Sequence, residues 1–243
     1  MITAKWISIM SRIRLRELIL VGALSIGVSG VASADNLESR QLPDFSRISV
    51  RGAVPVSLRP GNENQARITT GNHVSTAAVV TQVDNDLLTI QLAPGAYTNP
   101  NIRVSVTYSA LTMINAEAGA IIQTEQPIAG QTVTVNASSG AKLQIDLNAE
   151  LVKAKAGGGA RLTLTGRADA LIASSSSGST LEATQLNVSN IQGASSSGAQ
   201  LHLHSDGQLS INATSGGTVT YTGKPKKLET QSTRGGRIFS LSP

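Results

Sequence analysis

Three stretches of the chain follow one plan: LIASSSSGSTLEA at residues 171–183, IQGASSSGAQLHL at 191–203 and LSINATSGGTVTY at 209–221. In each stretch, apolar or small residues alternate with polar residues up to a glycine, and a second alternating run follows. Alternation with a period of two is typical of a β-strand with one buried face. Each stretch therefore predicts two strands joined by a tight corner at the glycine.

This plan recurs along the second half of the chain. The corner glycine returns every 18–21 residues, at Gly119, Gly140, Gly159, Gly178, Gly198, Gly216 and Gly235. The third residue after each glycine is apolar in all seven repeats: Ile122, Leu143, Leu162, Leu181, Leu201, Val219 and Ile238. Seven, five and three residues before each glycine, most residues are apolar or small. A fixed period near 19 residues indicates a repeat architecture, because one such unit buries its apolar face only against the next unit.

The fold class predicted from this pattern is all-β. An N-terminal β-region (44–111), with alternating strands bounded by Gly, Pro, Asn and Asp, continues into a right-handed parallel β-solenoid of about seven repeats (112–241). Residues 35–43 are polar, contain Pro43 and are interpreted as a linker. The corner glycines are expected at positive φ. The serines beside them have two interpretations: a ladder of hydroxyls along the solenoid axis, or simply small turn residues.

Residues 1–34 have the pattern of a secretory signal. Basic residues precede an apolar run of 14 residues, Leu18 to Val31, and Ala32-Ser33-Ala34 is a small-residue cleavage site. The run is short for a membrane span, which needs about 20 residues. The alternative is an uncleaved N-terminal anchor. With export and no cysteine, we expect a periplasmic, outer-membrane-associated or extracellular protein without disulfides.

Composition excludes several classes of protein. The 243 residues are 40% apolar and 14% charged, which is unlike a disordered chain. The absence of cysteine excludes a disulfide scaffold, a thiolate metal site and a cysteine nucleophile. Removing residues 1–34 lowers the formal net charge from +5 to +2, with 16 basic and 14 acidic residues left. The charge of the exported chain therefore gives no support for a nucleic-acid partner.

Four segments together resemble a known family. They are Phe45–Gly52 (FSRISVRG), Val83–Ile90 (VDNDLLTI), Val104–Leu111 (VSVTYSAL) and Val219–Pro225 (VTYTGKP), and Ser-Ser-Gly-Ala corners lie between the last two. The chain resembles the bacterial putative auto-transporter adhesin, head GIN domain proteins. The resemblance implies an exported, solenoid-like envelope protein of Gram-negative bacteria and brings no catalytic residues.

The chain departs from the pattern of this family in two places. The corners at Gly157-Gly158-Gly159 and Arg234-Gly235-Gly236 lack the usual Ser-Gly pair, and we expect them to turn differently. The repeats extend to Leu241, so we expect that this chain does not translocate itself as an autotransporter does.

The residue pattern indicates neither a metal site nor a catalytic site. His202 and His204 lie two apart on one strand face, as a metal pair would, but Leu201 and Leu203 occupy the buried positions and only Asp206 is nearby. His73 stands alone. The repeat region holds eight carboxylates, and we expect their offsets from the corner glycine to differ, so that they form no single row: Glu117, Glu125, Asp146, Glu150, Asp169, Glu182, Asp206 and Glu229. We predict no catalytic residue, no cofactor and no metal site.

The predicted function is a non-enzymatic structural or adhesion-type envelope module with an unknown ligand. Candidate partners are an envelope or extracellular polysaccharide, or a surface protein. The alternative is a carbohydrate-active enzyme or polysaccharide-binding protein on the same scaffold, since carboxylate pairs on neighbouring repeats remain open. Basic residues cluster near the end of the chain: Lys224, Lys226, Lys227, Arg234 and Arg237. They are interpreted either as an attraction site for anionic envelope components or as charges that discourage end-to-end stacking.

The signal interpretation predicts the start of the exported protein. N-terminal sequencing of the periplasmic or secreted product should begin at Asp35, because the small residues Ala32 and Ala34 form the cleavage motif. A product that keeps Met1 and stays in the inner membrane would contradict the cleaved signal and support the anchor.

Overall fold

The computed structural model describes residues 36–71, 74–95 and 101–241. The predicted signal (1–34) and His73 lie outside the described residues. Within these ranges, the regular elements are strands apart from one 3₁₀ turn, Thr76–Ala78. These are β1 (Asn36–Gln41), β2 (Arg47–Arg51), β3 (Pro55–Pro60), β4 (Gln65–Thr70), β5 (Val79–Asp84), β6 (Leu87–Leu92), β7 (Arg103–Tyr108), β8 (Met113–Glu117), β9 (Ile121–Thr124), β10 (Ile128–Ala137), β11 (Lys142–Ala156), β12 (Arg161–Ser175), β13 (Thr180–Ser196), β14 (Gln200–His204), β15 (Gln208–Thr214), β16 (Thr218–Thr222), β17 (Lys227–Thr233) and β18 (Arg237–Ser240).

The repeats form the predicted parallel β-solenoid, with about seven turns. One turn, called a coil below, contributes a strand segment before the corner glycine and another after it. The segments before the corner pair in parallel into one sheet, through β8, β10, β11, β12, β13, β15 and β17. The segments after the corner form the second sheet, through β9, β11, β12, β13, β14, β16 and β18. The long strands β11, β12 and β13 contribute to both sheets.

The two sheets enclose the residues that the period predicted to be buried. Leu162 lies opposite Leu181, and Leu181 lies opposite Leu201 in the next coil. All three leucines are fully buried, whereas the residues next to each leucine in its own strand face outward. A second buried column, in the other sheet and five residues before the corner, holds Ile114, Val135, Ala154, Ala173, Gly193 and Ile211. The alternation therefore sets the register of every coil.

Each corner has the same backbone. The glycine and the residue before it both have positive φ, as at Ser177 (53°) and Gly178 (67°), and the N–H of Ser179 donates to the carbonyl of Ser176 at 3.2 Å. This is the two-residue type I′ turn, which requires positive φ at both central positions. The prediction for the glycine is confirmed.

The expectation that two corners turn differently is wrong. Gly158 and Gly159 have φ values of 54° and 72°, and Arg234 and Gly235 have 50° and 77°. Because the coils must stay in register, the turn is kept whichever residue occupies its first central position. Glycine takes this conformation freely, and arginine takes it at a conformational cost.

The interior narrows towards the corner. The inward residues on either side of it are small: Ala116, Ala137, Ala156, Ser175, Ser195 and Ala213 before it, and Ala120, Ala141, Ala160, Ser179, Ala199 and Gly217 after it. The hydroxyls of Ser175 and Ser179, which come from opposite sides of one corner, lie 3.1 Å apart. Larger side chains fit only further from the corner, where leucine and isoleucine fill the space.

Backbone bonds run along the axis at the corners, and at the last corner the Thr233 hydroxyl also donates to the Thr214 hydroxyl at 3.3 Å. The N–H of Gly119 donates to the carbonyl of Ser139 at 3.0 Å, and the N–H of Gly178 donates to the carbonyl of Ser197 at 3.1 Å. The serine hydroxyls that bond between coils are inward ones: Ser179 donates to the Ala156 carbonyl at 2.9 Å. A buried hydroxyl needs such a partner. The corner serines themselves fit the interpretation as turn residues.

The N-terminal strands continue the same two sheets, in an order that differs from the sequence. Strand β2 pairs in parallel with β6 on one side and β8 on the other, and β3 lies likewise between β7 and β9. Ile48 is therefore stacked between Leu88 and Ile114, all fully buried. The coil formed by β2 and β3 is inserted between a later coil and the first repeat.

Antiparallel strands close the N-terminal end of the stack. Strand β5 pairs with β6, β4 pairs with β7, and β1 pairs with β4. The guanidinium of Arg40 on β1 donates to the carbonyls of Val79 (2.6 Å) and Thr76 (3.1 Å), and it forms an ion pair with Glu38 at 2.9 Å. The interpretation of residues 35–43 as a linker is thus wrong for Asn36–Gln41. This strand lies at an exposed edge, so its residues are mostly polar and show no apolar alternation that would have predicted a strand.

The stacked leucines give a stability prediction. Leu181→Ala should lower the free energy of unfolding by about 2–5 kcal/mol, because it leaves a cavity between Leu162 and Leu201. Lys153→Ala, at an exposed outward position, should change it by no more than about 0.5 kcal/mol. Urea unfolding followed by circular dichroism measures both, and equal sensitivity would mean that the register is wrong.

The Arg40–Glu38 pair gives a pH prediction. Hydrogen bonding from the Arg40 guanidinium lowers the pKa of Glu38 from 4.5 to about 2. A depressed folded-state pKa stabilises the fold fully above pH 4.5, and this contribution is lost as the pH falls towards 2. At low ionic strength, the difference in melting temperature between the parent protein and Glu38→Gln should therefore shrink over this range. Arg40→Gln should abolish the effect of Glu38→Gln, and a difference independent of pH would contradict the pairing.

Candidate functional site

Outward side chains on four neighbouring strands line a shallow groove, here called the amide groove. The parallel register aligns them in three rows across β12, β13, β15 and β17. The rows are Ala170–Asn190–Gln208–Lys227, Ile172–Gln192–Ser210–Glu229 and Ser174–Ala194–Asn212–Gln231. Two adjoining concavities of about 400 and 340 Å³ share the middle row. The lining combines short side chains such as Ala194 and Ser210 with longer ones such as Gln192 and Gln231.

The groove is rich in groups that both donate and accept hydrogen bonds. Five amide side chains line it: Asn190, Gln192, Gln208, Asn212 and Gln231. Its carboxylate, Glu229, forms an ion pair with Lys227 at 2.9 Å, and hydrogen bonding from Lys227 lowers the pKa of Glu229. Near neutral pH this carboxylate is therefore an acceptor and not a proton donor. The arrangement suits recognition of a neutral polar ligand.

The register places two carboxylates of neighbouring coils side by side. The pairs Ala149–Ala168 and Leu151–Ala170 place Glu150 beside Asp169 on neighbouring coils. Glu150 and Asp169 stand ten residues after their corner glycines, and Glu125 and Asp146 stand six after theirs. The expectation that the offsets from the corner glycine differ is therefore wrong for these two pairs. Glu150 and Asp169 are both exposed, and neither lines the amide groove.

The two repeat-region histidines face outward, as Leu201 and Leu203 are fully buried. His204 Nδ1 lies 2.9 Å from the Thr222 hydroxyl of the next coil, and Nε2 lies 3.5 Å from Asp206 Oδ2. Sequence reasoning missed this hydroxyl–imidazole–carboxylate contact, which the spacing of 18 residues between His204 and Thr222 could have indicated. The backbone N–H of Lys224 is the main cause that lowers the pKa of Asp206.

This arrangement is open to solvent. The side chains of His204 and Asp206 are 41% and 71% exposed. The Asp206 carboxylate accepts a 2.8 Å hydrogen bond from the Lys224 N–H, which holds it against the turn. Across residues 36–71, 74–95 and 101–241, no three His, Asp or Glu side chains are grouped as metal ligands.

The predicted basic cluster lies on the last coil and on the turn before it. Lys227 pairs with Glu229, while Lys224, Lys226, Arg234 and Arg237 have no carboxylate within 4.0 Å among the described residues. No helix in the described part of the chain has the length and apolar character to cross a bilayer.

Comparison with solved structures shows the same fold in other bacterial proteins. A putative adhesin from Bacteroides fragilis has a TM-score of 0.76 at 14% identity, covering 86% of this chain and 98% of that one. A putative adhesin from Parabacteroides merdae gives 0.66 at 15%, with 86% and 97% covered. A putative lipid binding protein from Parabacteroides distasonis gives 0.64 at 12%, with 85% and 97% covered. No curated protein sequence matches the chain.

The family model described as "Putative auto-transporter adhesin, head GIN domain" matches residues 44–225. This range includes every strand from β2 to β16. The segments that indicated the resemblance lie within it. The chain therefore belongs to the putative auto-transporter adhesin, head GIN domain family.

Proposed function

We propose that this protein is a non-enzymatic, exported cell-envelope protein that acts as an adhesion-type β-solenoid module through the amide groove. The observation that carries the proposal is the alignment of amide and hydroxyl side chains in rows over four strands. The pattern of residues 1–34 and the adhesin description of the family support export. Location in the periplasm, at the outer membrane or outside the cell fits equally well.

The ligand that best fits the groove is an uncharged polysaccharide of the envelope or of an external surface. Sugar hydroxyls both donate and accept hydrogen bonds, as do the side chains of Gln192, Asn212 and Gln231. Neighbouring strands repeat every ~4.8 Å, so a linear polymer along the axis meets similar groups on successive coils. Single contacts of this kind are weak, and repeated ones add by multivalency.

A carbohydrate-active enzyme remains the second candidate, because Glu150 and Asp169 lie side by side. Paired carboxylates are the usual machinery of glycoside hydrolysis. In such enzymes the general acid is tuned by an apolar or enclosed setting. The exposure of both side chains is the reason to place this function second.

The test combines binding with turnover. The exported protein is applied to a panel of immobilised neutral and acidic polysaccharides, and retained protein is measured. Gln192→Ala with Asn212→Ala should weaken retention on a neutral polymer by about thirtyfold, since each of the two lost hydrogen bonds contributes about 1 kcal/mol net. Gln144→Ala with Thr163→Ala removes a neighbouring amide and hydroxyl from the other sheet and should leave retention unchanged.

The same samples are assayed for new reducing ends or unsaturated products. We expect none. Turnover that disappears in Glu150→Gln or Asp169→Asn would establish the enzyme instead. Retention equally reduced by both double variants, or unaffected by either, would contradict the amide groove as the binding surface.

A further inference from the structure

The last coil leaves one edge of each sheet free. Among the described residues, β17 pairs only with β15 and β18 only with β16. All seven residues of β17 are exposed. Leu228 is 43% exposed, whereas Leu209, at the same position one coil earlier, is 1% exposed. Leu228 faces the interior direction and lacks only a covering strand.

The free edge presents unpaired backbone groups in a regular order. The N–H groups of Lys227, Arg237 and Leu241 donate to the preceding coil. In a parallel ladder, alternate residues bond to alternate sides. The backbone N–H and C=O groups of Leu228, Thr230, Ser232, Ile238 and Ser240 therefore point away from the stack. Such an edge is a template for another strand.

The two ends of the stack differ. At the N-terminal end, β5 and β4 run antiparallel to their coil partners, and β1 pairs in antiparallel fashion with β4. The Arg40 guanidinium donates to the carbonyls of Thr76 and Val79. The last coil has no comparable closure among the described residues. The N-terminal end still has edge strands, because β1 pairs only with β4 and β5 only with β6 among the described residues. The last coil differs from it in combining a free parallel edge with an uncovered inward leucine, Leu228.

The positive charge of the last coil favours an acidic partner. Residues 224–241 carry five basic side chains and one carboxylate, Glu229. A second copy meeting this edge with its own last coil would set cation against cation, which disfavours that pairing. A segment bearing carboxylates would pair with Arg234 and Arg237 and be steered towards them.

We propose that the free edge of β17 and β18 takes up an extended, acidic segment of another polypeptide as an additional strand. Main-chain hydrogen bonds to Leu228, Thr230 and Ser232 would supply affinity, and alternate side chains would supply specificity. Along β17, apolar side chains of the segment cover Leu228, and its carboxylates face the basic side chains. The amide groove shares β17 with this edge through the outward side chains of Lys227, Glu229 and Gln231, whereas the added strand binds to outward backbone groups of β17.

A fluorescent peptide of alternating glutamate and valine, nine residues long, tests the proposal by fluorescence anisotropy with the full chain. We expect saturable binding that weakens as salt is raised, and none with the matching lysine–valine peptide. Thr230→Pro removes an outward N–H but keeps the bonds of β17 to β15, so it should weaken binding by at least about tenfold. Thr230→Val keeps the N–H and should bind like the parent.

Two double variants that remove basic residues provide a second test, which is needed if Thr230→Pro unfolds the last coil. Lys227→Gln with Arg237→Gln should weaken binding and flatten its salt dependence, whereas Lys142→Gln with Lys153→Gln, on other coils, should not. Binding that falls with the charge variants but not with Thr230→Pro would indicate a simple polyanion site and overturn the proposal. Self-association without peptide, seen by sedimentation velocity and lost in Thr230→Pro, would overturn it in favour of a second copy. Absence of binding would overturn it as well.

Discussion

A side chain that faces the interior of a coil is buried only when another coil lies on top of it. Leu209 and Leu228 show this directly, since they share a column and differ in exposure from 1% to 43%. Burying a large aliphatic side chain contributes about 1.5–3 kcal/mol, so the stability of each coil depends mainly on its neighbours. The ends of the stack consequently need either closure or a partner.

Stacking in turn depends on a corner that returns each coil to the same register. Two successive residues at positive φ, with small inward side chains beside them, meet this need at every repeat. Little else in the coil is fixed, because outward positions only need to suit a strand. The B. fragilis adhesin therefore keeps this fold with a TM-score of 0.76 at only 14% identity. The outward rows are free to differ, and recognition by such a scaffold would reside in them.

The sequence predicted the solenoid well because its signal is local and repeated. Both the buried columns and the positive φ of the corner glycines follow from a period of two within a period near 19. The insertion of β2 and β3 between two other coils was not predictable, since alternation reveals strands and not their partners. Strand β1 was missed because an exposed edge strand carries no apolar alternation.

The site was harder to predict than the fold. The amide groove arises from residues on four coils that are polar in the same way as any surface residue, so only the register distinguishes them. Two contacts could have been predicted, because the spacing of their residues equals one repeat: Glu150 beside Asp169, and His204 with Thr222. A comparison of offsets one period apart would have found both.

The central claim, one continuous stack with an inserted coil, is tested by a single pair of cysteines, since the chain has none of its own. Arg51 and Glu117 are register partners on β2 and β8, with their side chains 3.4 Å apart. Arg51→Cys with Glu117→Cys should form a disulfide under mild oxidation, visible as a mobility shift on a non-reducing gel. Gln91 is paired with Arg51 on its other side, two strands and ~10 Å from Glu117, too far for a disulfide. A bond between cysteines at 91 and 117, and none between 51 and 117, would show coils stacked in sequence order and contradict the account.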